Sequence, residues 1–347
     1  MRSPIYTQTP WQEEYSEVID VRSESEFRED HFPGAINLPV LNDSERVKVG
    51  TIYKQDSPFT ARKIGAALVA NNMSGYISNH FAHKEKDYHP LVYCWRGGQR
   101  SYSMAIILSQ IGWRTTIIEG GYKTYRSYVR EQLNQLPQKF TYKILCGLTG
   151  TGKTHILQGL ANGGTQVLNL EAIANHRGSL LGQEWQEEPQ GQPSQKRFES
   201  LLLEQLSQFN PQKLVWVESE SNKIGKCYLP PALWEMMRQA NCVEVQLPLE
   251  TRIEYLLKTY PHLVTNPNFL KSKLKMLTYR YGKEKITQWY GLIDEGNWRD
   301  LVGDLLNHHY DPSYRRSLKK TYGHQIEKVL AISHLSDAIV ETLQKIS

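Results

Sequence analysis

The segment Tyr142–Thr154 limits the fold more than any other part of this chain. Tyr142–Cys146 is an apolar, β-prone run, and Gly147-Leu148-Thr149-Gly150-Thr151-Gly152-Lys153-Thr154 follows it. Ile156, Leu157 and Leu160 then recur at helical spacing. Strand, G-x-x-x-x-G-K-T loop and helix together form a unit that holds phosphate. The glycines let the chain curl with its N–H groups turned inward, and the helix start adds partial positive charge. Lys153 reaches terminal phosphates, and the Thr154 hydroxyl can bind Mg²⁺. Gly147, Gly150, Gly152, Lys153 and Thr154 are therefore the candidate diphosphate-binding residues. A glycine-rich turn that matched by chance would leave the flanking strand and helix unexplained.

Strands and helices alternate on either side of this unit. Gln166–Leu170, Lys213–Val217 and Val243–Leu247 read as further strands, and Glu250–Lys258 as a helix with Ile253, Leu256 and Leu257 inward and Arg252 on the other face. Cys146 reads as a buried strand residue. Glu171 and Glu218 follow two of these strands as possible Mg²⁺ or acid positions; Glu218 equally suits a carboxylate capping the next element. This half resembles P-loop NTPase domains, with a helical, basic C-terminal region. His308, His309 and Asp311 suggest a metal, but adjacent histidines leave a helix on different sides, so a binding or packing role is expected.

The first half carries a second reactive feature. Leu91, Val92 and Tyr93 form a strand that ends in Cys94, and Arg96, Gly97, Gly98 and Arg100 lead into a helix beginning near Ser101. A thiol there lies near backbone N–H groups, a helix N-terminus and two arginines, each of which favours the thiolate. Cys94 is the candidate nucleophile, and Arg96, Gly97, Gly98, Arg100 and Ser101 are the candidate anion cradle. Further strands at Val18–Val21, Ala35–Leu38 and Thr115–Ile118, with a helix over Ala61–Ala70, make this a compact α/β domain with a largely parallel sheet.

With 347 residues, two domains are expected. The polar stretch Gln132–Lys139 is the boundary, giving domains 1–135 and 140–347. The four cysteines (94, 146, 227, 242) include no C-x-x-C pair, which argues for a reducing compartment. Residues 1–8 contain no apolar signal-like run, and no apolar run is long enough to span a bilayer, so a cytoplasmic protein with no membrane partner is expected. The net charge is +5, and residues 252–285 carry eight basic side chains against two acidic ones. That excess suits either a polyanion or a solvated helix face.

Ile19-Asp20-Val21-Arg22, Glu26-Phe27 and His31–Asn37, then Cys94, then Glu119-Gly120-Gly121-Tyr122 with Tyr125, resemble the signature of rhodanese domains. Many sulfurtransferases of that family run from Cys to Arg in six residues; Cys94–Arg100 is seven, which is similar to related phosphatases and suits a larger tetrahedral anion. A rhodanese-like domain fused to a P-loop domain with Asn175-His176-Arg177-Gly178-Ser179 and Tyr310-Asp311-Pro312 resembles the bacterial tRNA 2-selenouridine synthases over nearly the whole chain.

That resemblance implies a transferase that replaces the sulfur of 2-thiouridine, at the wobble position of the tRNA anticodon, with selenium from selenophosphate. It implies an S-geranyl intermediate made from geranyl diphosphate, a selenophosphate supplier as partner, and Cys94 as carrier or relay of selenium. Neither co-substrate is expected to be a tightly bound cofactor. On this reading the P-loop holds the diphosphate of the geranyl donor, an apolar groove beside it takes the chain, and the Cys94 loop holds selenophosphate. Arg252, Lys271, Lys273, Lys275, Arg280, Lys283, Arg315 and Arg316, interleaved with Tyr260, Tyr279 and Tyr281, would grip tRNA. Lys319 and Lys320 would extend that track. The alternatives are a sulfurtransferase or phosphatase fused to an ATP-using regulator, and a non-enzymatic RNA-binding switch.

Overall fold

The computed structural model describes residues 3–179, 181, 191–323 and 325–346, and it divides into two compact units. The first comprises Met1–Gln132 together with Lys196–Glu204; the second comprises the remainder. Lys196–Glu204 lies in the stretch that the sequence reading gives to the second domain.

The first unit is built on five parallel strands: β1 (Ile5–Thr7), β2 (Glu17–Asp20), β3 (Ile36–Asn37), β4 (Pro90–Tyr93) and β5 (Thr116–Ile118). Their order is β1-β5-β4-β2-β3. All four residues of β4 are buried, as a central parallel strand requires. The helices are α1 (Glu24–Glu29), α2 (Asp43–Gln55), α3 (Pro58–Ser78), α4 (Gln99–Ile111) and α5 (Tyr122–Gln135). α3 is much longer than the helix read over Ala61–Ala70. It starts with Ser57, whose hydroxyl accepts the Phe59 and Thr60 N–H groups, and with Pro58 in the first turn. Ile19, Val92, Met104, Leu108 and Phe81 are among the fully covered core side chains that set the register of α4 over the sheet.

The second unit holds another five-stranded parallel sheet. In chain order its elements begin with β6 (Tyr142–Cys146), α6 (Lys153–Asn162), β7 (Gln166–Leu168), α7 (Leu170–Ala174) and α8 (Gln195–Ser207), whose middle belongs to the first unit. Next come β8 (Val215–Glu218), the two-residue pair β9 (Lys223–Ile224) and β10 (Cys227–Tyr228), α9 (Pro231–Gln239) and β11 (Asn241–Gln246). A helical run then packs α10 (Leu249–Thr259), α11 (Pro261–Thr265), α12 (Pro267–Lys275), α13 (Thr278–Asp294), α14 (Trp298–Leu305) and α15 (Asp311–Tyr322). Its core is Trp289, Leu270, Leu274 and Leu301. The chain returns to the sheet as β12 (Ile326–Ala331) and ends in α16 (Asp337–Gln344). The order β12-β11-β6-β8-β7 puts the glycine loop at the centre of the sheet, with the end of β8 next to it. Among the described residues no helix is long and apolar enough to cross a membrane.

Candidate active sites

Cys94 directly follows β4, and its side chain is buried. Its Sγ lies 3.3 Å from the Ser101 hydroxyl, which in turn donates to the Gly98 carbonyl at 3.1 Å. α4 begins at Gln99 with Gly98 as its cap, so the loop passes directly into a helix N-terminus. None of the backbone N–H groups of residues 95–101 has a protein acceptor among the described residues. These donors together form a concave, electropositive site for an oxyanion next to the sulfur.

The Gly120-Gly121 turn fixes the curl of this loop. Tyr122 N–H donates to the Cys94 carbonyl at 2.8 Å, and Lys123 N–H to the Trp95 carbonyl at 3.3 Å. Gly97 and Gly121 have φ of +64° and +63°. A Cβ on Gly121 would collide with the Cys94 carbonyl oxygen and the Gly97 nitrogen; one on Gly97 would come within 2.5 Å of the Ile118 carbonyl. Both positions need glycine for close approach as well as for conformation. Gly98 has neither constraint.

The two arginines have different roles. Arg96 is exposed and makes no ion pair among the described residues. Arg100 is committed to Glu26, its two nitrogens at 2.6 and 3.2 Å from the carboxylate oxygens. Burial alone would raise Glu26, but the bonds and charge of Arg100 outweigh it and hold the carboxyl below its ordinary range. Arg22 and Asp20 form the framework beneath: their buried ion pair measures 2.6 Å, and Arg22 sits 4.1 Å over the Tyr122 ring.

In the second unit Gly147, Gly150 and Gly152 all have positive φ. The N–H groups of Gly150, Gly152, Lys153 and Thr154 have no protein acceptor among the described residues. Lys153 folds back to donate to the Gly147 carbonyl at 2.8 Å, over the Tyr314 ring at 5.3 Å. Tyr314, on α15, accepts the Gly147 N–H at 2.9 Å and meets the Ser219 hydroxyl at 2.6 Å. Thr154 donates to Glu171 at 2.9 Å. Glu218 is buried and accepts the Glu171 backbone N–H at 2.9 Å, so its carboxylate caps the start of α7. Burial first, then the Glu171 and Glu220 charges, pushes the Glu218 carboxyl well up. Burial and Glu171 likewise push Glu220 up to about 7. Glu220 and Tyr314 are members of this site that sequence reasoning passes over. The only signal for them is position: one lies two residues past a strand end, the other one helical turn past Tyr310.

Arg252 is a correction. The sequence reading puts it on an exposed nucleic-acid track, but it is 4% exposed and forms a two-pronged ion pair with Asp311. The remaining basic residues separate into two groups. Lys271 pairs with Asp294, Arg280 donates to Ser313, and Lys273 lies over the Phe269 ring. Lys275, Lys283, Arg315 and Arg316 are exposed. Of the three tyrosines, Tyr279 alone is fully exposed; Tyr281 packs on Trp289 and bonds His309, and Tyr260 carries Arg177 over its ring. His308 meets Asp304 instead, so the adjacent histidines do face different partners.

Both units match known families. The family model for the rhodanese-like domain matches residues 7–128, and that for the tRNA 2-selenouridine synthase AAA domain matches residues 140–345. The chain is 33% identical to a tRNA 2-selenouridine synthase of Psychromonas ingrahamii over 87% of its own length and 88% of that protein's. For the enzyme of that name from Sulfurovum sp. the identity is 31%, covering 92% and 91%. For the one from Nitrosomonas europaea it is 37%, covering 72% of this chain and 64% of that protein. With its Cys94 loop on a rhodanese-like domain and its glycine loop on the following α/β domain, the chain belongs to the tRNA 2-selenouridine synthase family of enzymes.

Proposed function

We propose that this enzyme converts 2-thiouridine in tRNA to 2-selenouridine in two steps, each using a different oxyanion cradle. The observation that supports this is the presence, in one chain of this family, of two separate sets of N–H donors with no protein acceptor among the described residues, at residues 95–101 and at Gly150, Gly152, Lys153 and Thr154. In the first step the P-loop holds the diphosphate of geranyl diphosphate. The thiouridine sulfur attacks C1 of the geranyl group, the C1–O bond breaks, diphosphate leaves with the electron pair, and N3 of the base loses its proton. Lys153 neutralises the leaving group once it swings off the Gly147 carbonyl. In the second step selenophosphate occupies the Cys94 loop, with the N–H groups and Arg96 as its counter-charge; its selenium attacks C2, the C2–S bond breaks and geranyl thiolate leaves and takes up a proton, and water then cleaves the P–Se bond, releasing inorganic phosphate and leaving 2-selenouridine.

The donor set beside the P-loop fits Mg²⁺. Thr154 Oγ1 and Glu171 Oε2 are hard oxygen ligands 2.9 Å apart, and Mg²⁺ commonly takes one or two such groups plus substrate phosphate oxygens. Bound there, the ion would draw charge from the departing diphosphate. The anticodon arm of tRNA would lie along Lys275, Lys283, Arg315 and Arg316. A selenophosphate-producing enzyme is the implied supplier, and the cytoplasm the implied compartment.

The test is nucleoside analysis of tRNA from cells whose only copy of the gene carries Cys94→Ser or Lys153→Ala. The expected result is S-geranyl-2-thiouridine accumulating with C94S, and unmodified 2-thiouridine with K153A. Normal 2-selenouridine in either strain would sink the two-cradle scheme.

A further inference from the structure

Positive charge in the first unit is concentrated where α2 meets α3. Residues 46–63 hold five basic side chains, Arg46, Lys48, Lys54, Arg62 and Lys63, against one acidic, Asp56. The remainder of residues 1–135 holds eleven against fourteen. α2 ends at Gln55 and α3 starts at Pro58, so the turn at Asp56 and Ser57 brings Lys54 to the same corner as Arg62 and Lys63. Lys48, Lys54, Arg62 and Lys63 are exposed, and none of them makes an ion pair among the described residues.

Aromatic rings lie among these cations. Tyr53 is 57% exposed and Phe59 63%, and Lys63 sits 5.2 Å over the Phe59 ring. None of the thirteen residues of α2 is buried. A helix that gives nothing to the core while showing Val47 and Tyr53 to solvent is not explained by the stability of the domain.

This surface borders the Cys94 loop. Arg46 and Tyr53 are seven residues apart on α2 and so share one stripe of the helix. Gly50 lies between them, and the Arg46 guanidinium lies over it: a Cβ there would come within 3.0 Å of Nη1. Arg46 Nε is 3.9 Å from Glu26, and the same carboxylate holds Arg100 at 2.6 Å. The stripe therefore runs from the corner to the rim of the anion cradle.

Cations around exposed rings suit single-stranded nucleic acid, whose phosphates take the charge and whose bases stack on the rings. Lysine is depleted at protein–protein contacts, which makes a protein partner a poorer fit. The wobble base lies in the anticodon loop, where unpaired bases can be splayed out and stacked. We propose that the α2–α3 corner is an RNA-binding surface that holds unpaired anticodon-loop nucleotides while the S-geranylated base occupies the Cys94 loop. Lys48, Lys54, Arg62 and Lys63 take phosphates, and Tyr53 and Phe59 stack on bases. The inference rests on the two-step reading, in which one base visits both cradles and each visit needs its own grip on the RNA.

The test uses the full-length chain as wild type, as Lys54→Gln/Arg62→Gln/Lys63→Gln and as Tyr53→Ala/Phe59→Ala. Two reactions are followed over a range of salt: selenium incorporation from selenophosphate into tRNA already carrying S-geranyl-2-thiouridine, and geranylation of 2-thiouridine tRNA. The triple variant should raise the KM for geranylated tRNA about tenfold or more and flatten the slope of log kcat/KM against log salt by about two, at roughly 0.7 for each phosphate no longer neutralised. The aromatic variant should raise that KM about fivefold or more with the slope unchanged. Both should keep wild-type geranylation and the wild-type thermal midpoint, because the changed side chains are exposed. Lys54→Arg/Lys63→Arg keeps the charge and should keep the slope. If the wild type converts geranylated tRNA and the triple variant matches it in KM and slope, the surface assignment falls alone. If geranylation falls as much as selenium incorporation, the link between this surface and the Cys94 step is overturned. If the wild type does not convert geranylated tRNA, the two-step reading falls and the inference with it.

Discussion

Arg252 and Asp311 meet through two hydrogen bonds, 2.9 and 2.8 Å long, and the same guanidinium donates to the Thr149 carbonyl at 3.0 Å. A buried ion pair on α10 and α15 therefore holds the shape of the glycine loop from behind. Removing one partner leaves the other charge buried and unpaired, which costs about 3–5 kcal/mol. Asp311→Ala should destabilise the chain by about that amount in urea unfolding, and it should weaken inorganic diphosphate binding in the fraction that stays folded. Arg252→Lys should rescue little, because an ammonium cannot replace a two-pronged fork. Wild-type stability in D311A would remove the pair from the loop's support.

Gly121 makes a similar prediction for the other site. Gly121→Ala drives a methyl into the Cys94 carbonyl and the Gly97 nitrogen at a φ of +63°, so the loop must open. Selenium incorporation by purified G121A should fall by about a hundredfold or more, the scale seen when a preorganised oxyanion site is disturbed. S-geranylation by the same protein should persist. Gly98→Ala is the control: its φ is −99° and an added Cβ meets nothing, so activity should change little.

Much of this is legible in the residues. The strand–glycine–helix order at Tyr142–Leu160 and the run of β4 into the Cys94 loop each fix a local geometry, and the parallel sheets follow from strands alternating with helices. Side-chain direction is harder to read. Arg252 is one of two adjacent buried residues on α10, Arg252 and Ile253, and a charged residue on a helix face reads as outward unless its partner is known. That partner, Asp311, is 59 residues away in sequence. Helix α2 escapes a reading of periodicity because its Val47 and Tyr53 are exposed and it buries no residue, leaving no apolar stripe to detect. Lys196–Glu204 falls in the first unit, where Ser200 bonds Asp30 at 3.0 Å and Lys196 bonds Glu29 at 2.7 Å, partners more than 160 residues away that local pattern does not reveal.

Glu220 supplies a pH dependence. Burial first, and the Glu171 charge second, raise its carboxyl from 4.5 to about 7 in the folded chain. Between those two values the native state binds more protons than the unfolded one, so stability falls as pH rises through that window. Glu220→Gln removes the ionisable group. Its thermal midpoint should exceed that of the wild type at pH 8 by about 2–4 °C for each kcal/mol recovered, and the two curves should converge below pH 4.5. Parallel curves across the window would mean Glu220 titrates normally.

The exposed cations of the helical region make the final prediction, because they separate from the buried one. Lys275, Lys283, Arg315 and Arg316 are open to solvent, and Tyr279 near them is fully exposed. If these residues carry tRNA, changing all four cations to Gln should reduce the slope of log K against log salt by about three, at roughly 0.7–0.9 for each phosphate no longer neutralised. Tyr279→Ala should weaken binding by about 1–3 kcal/mol with no change in slope, since stacking on a base releases no counterion. Arg252→Gln should leave the slope alone, because its guanidinium is held on Asp311 and Thr149 inside the protein. Filter binding of a 2-thiouridine-containing tRNA over a range of salt separates the three. A slope that survives the fourfold change places tRNA on another surface.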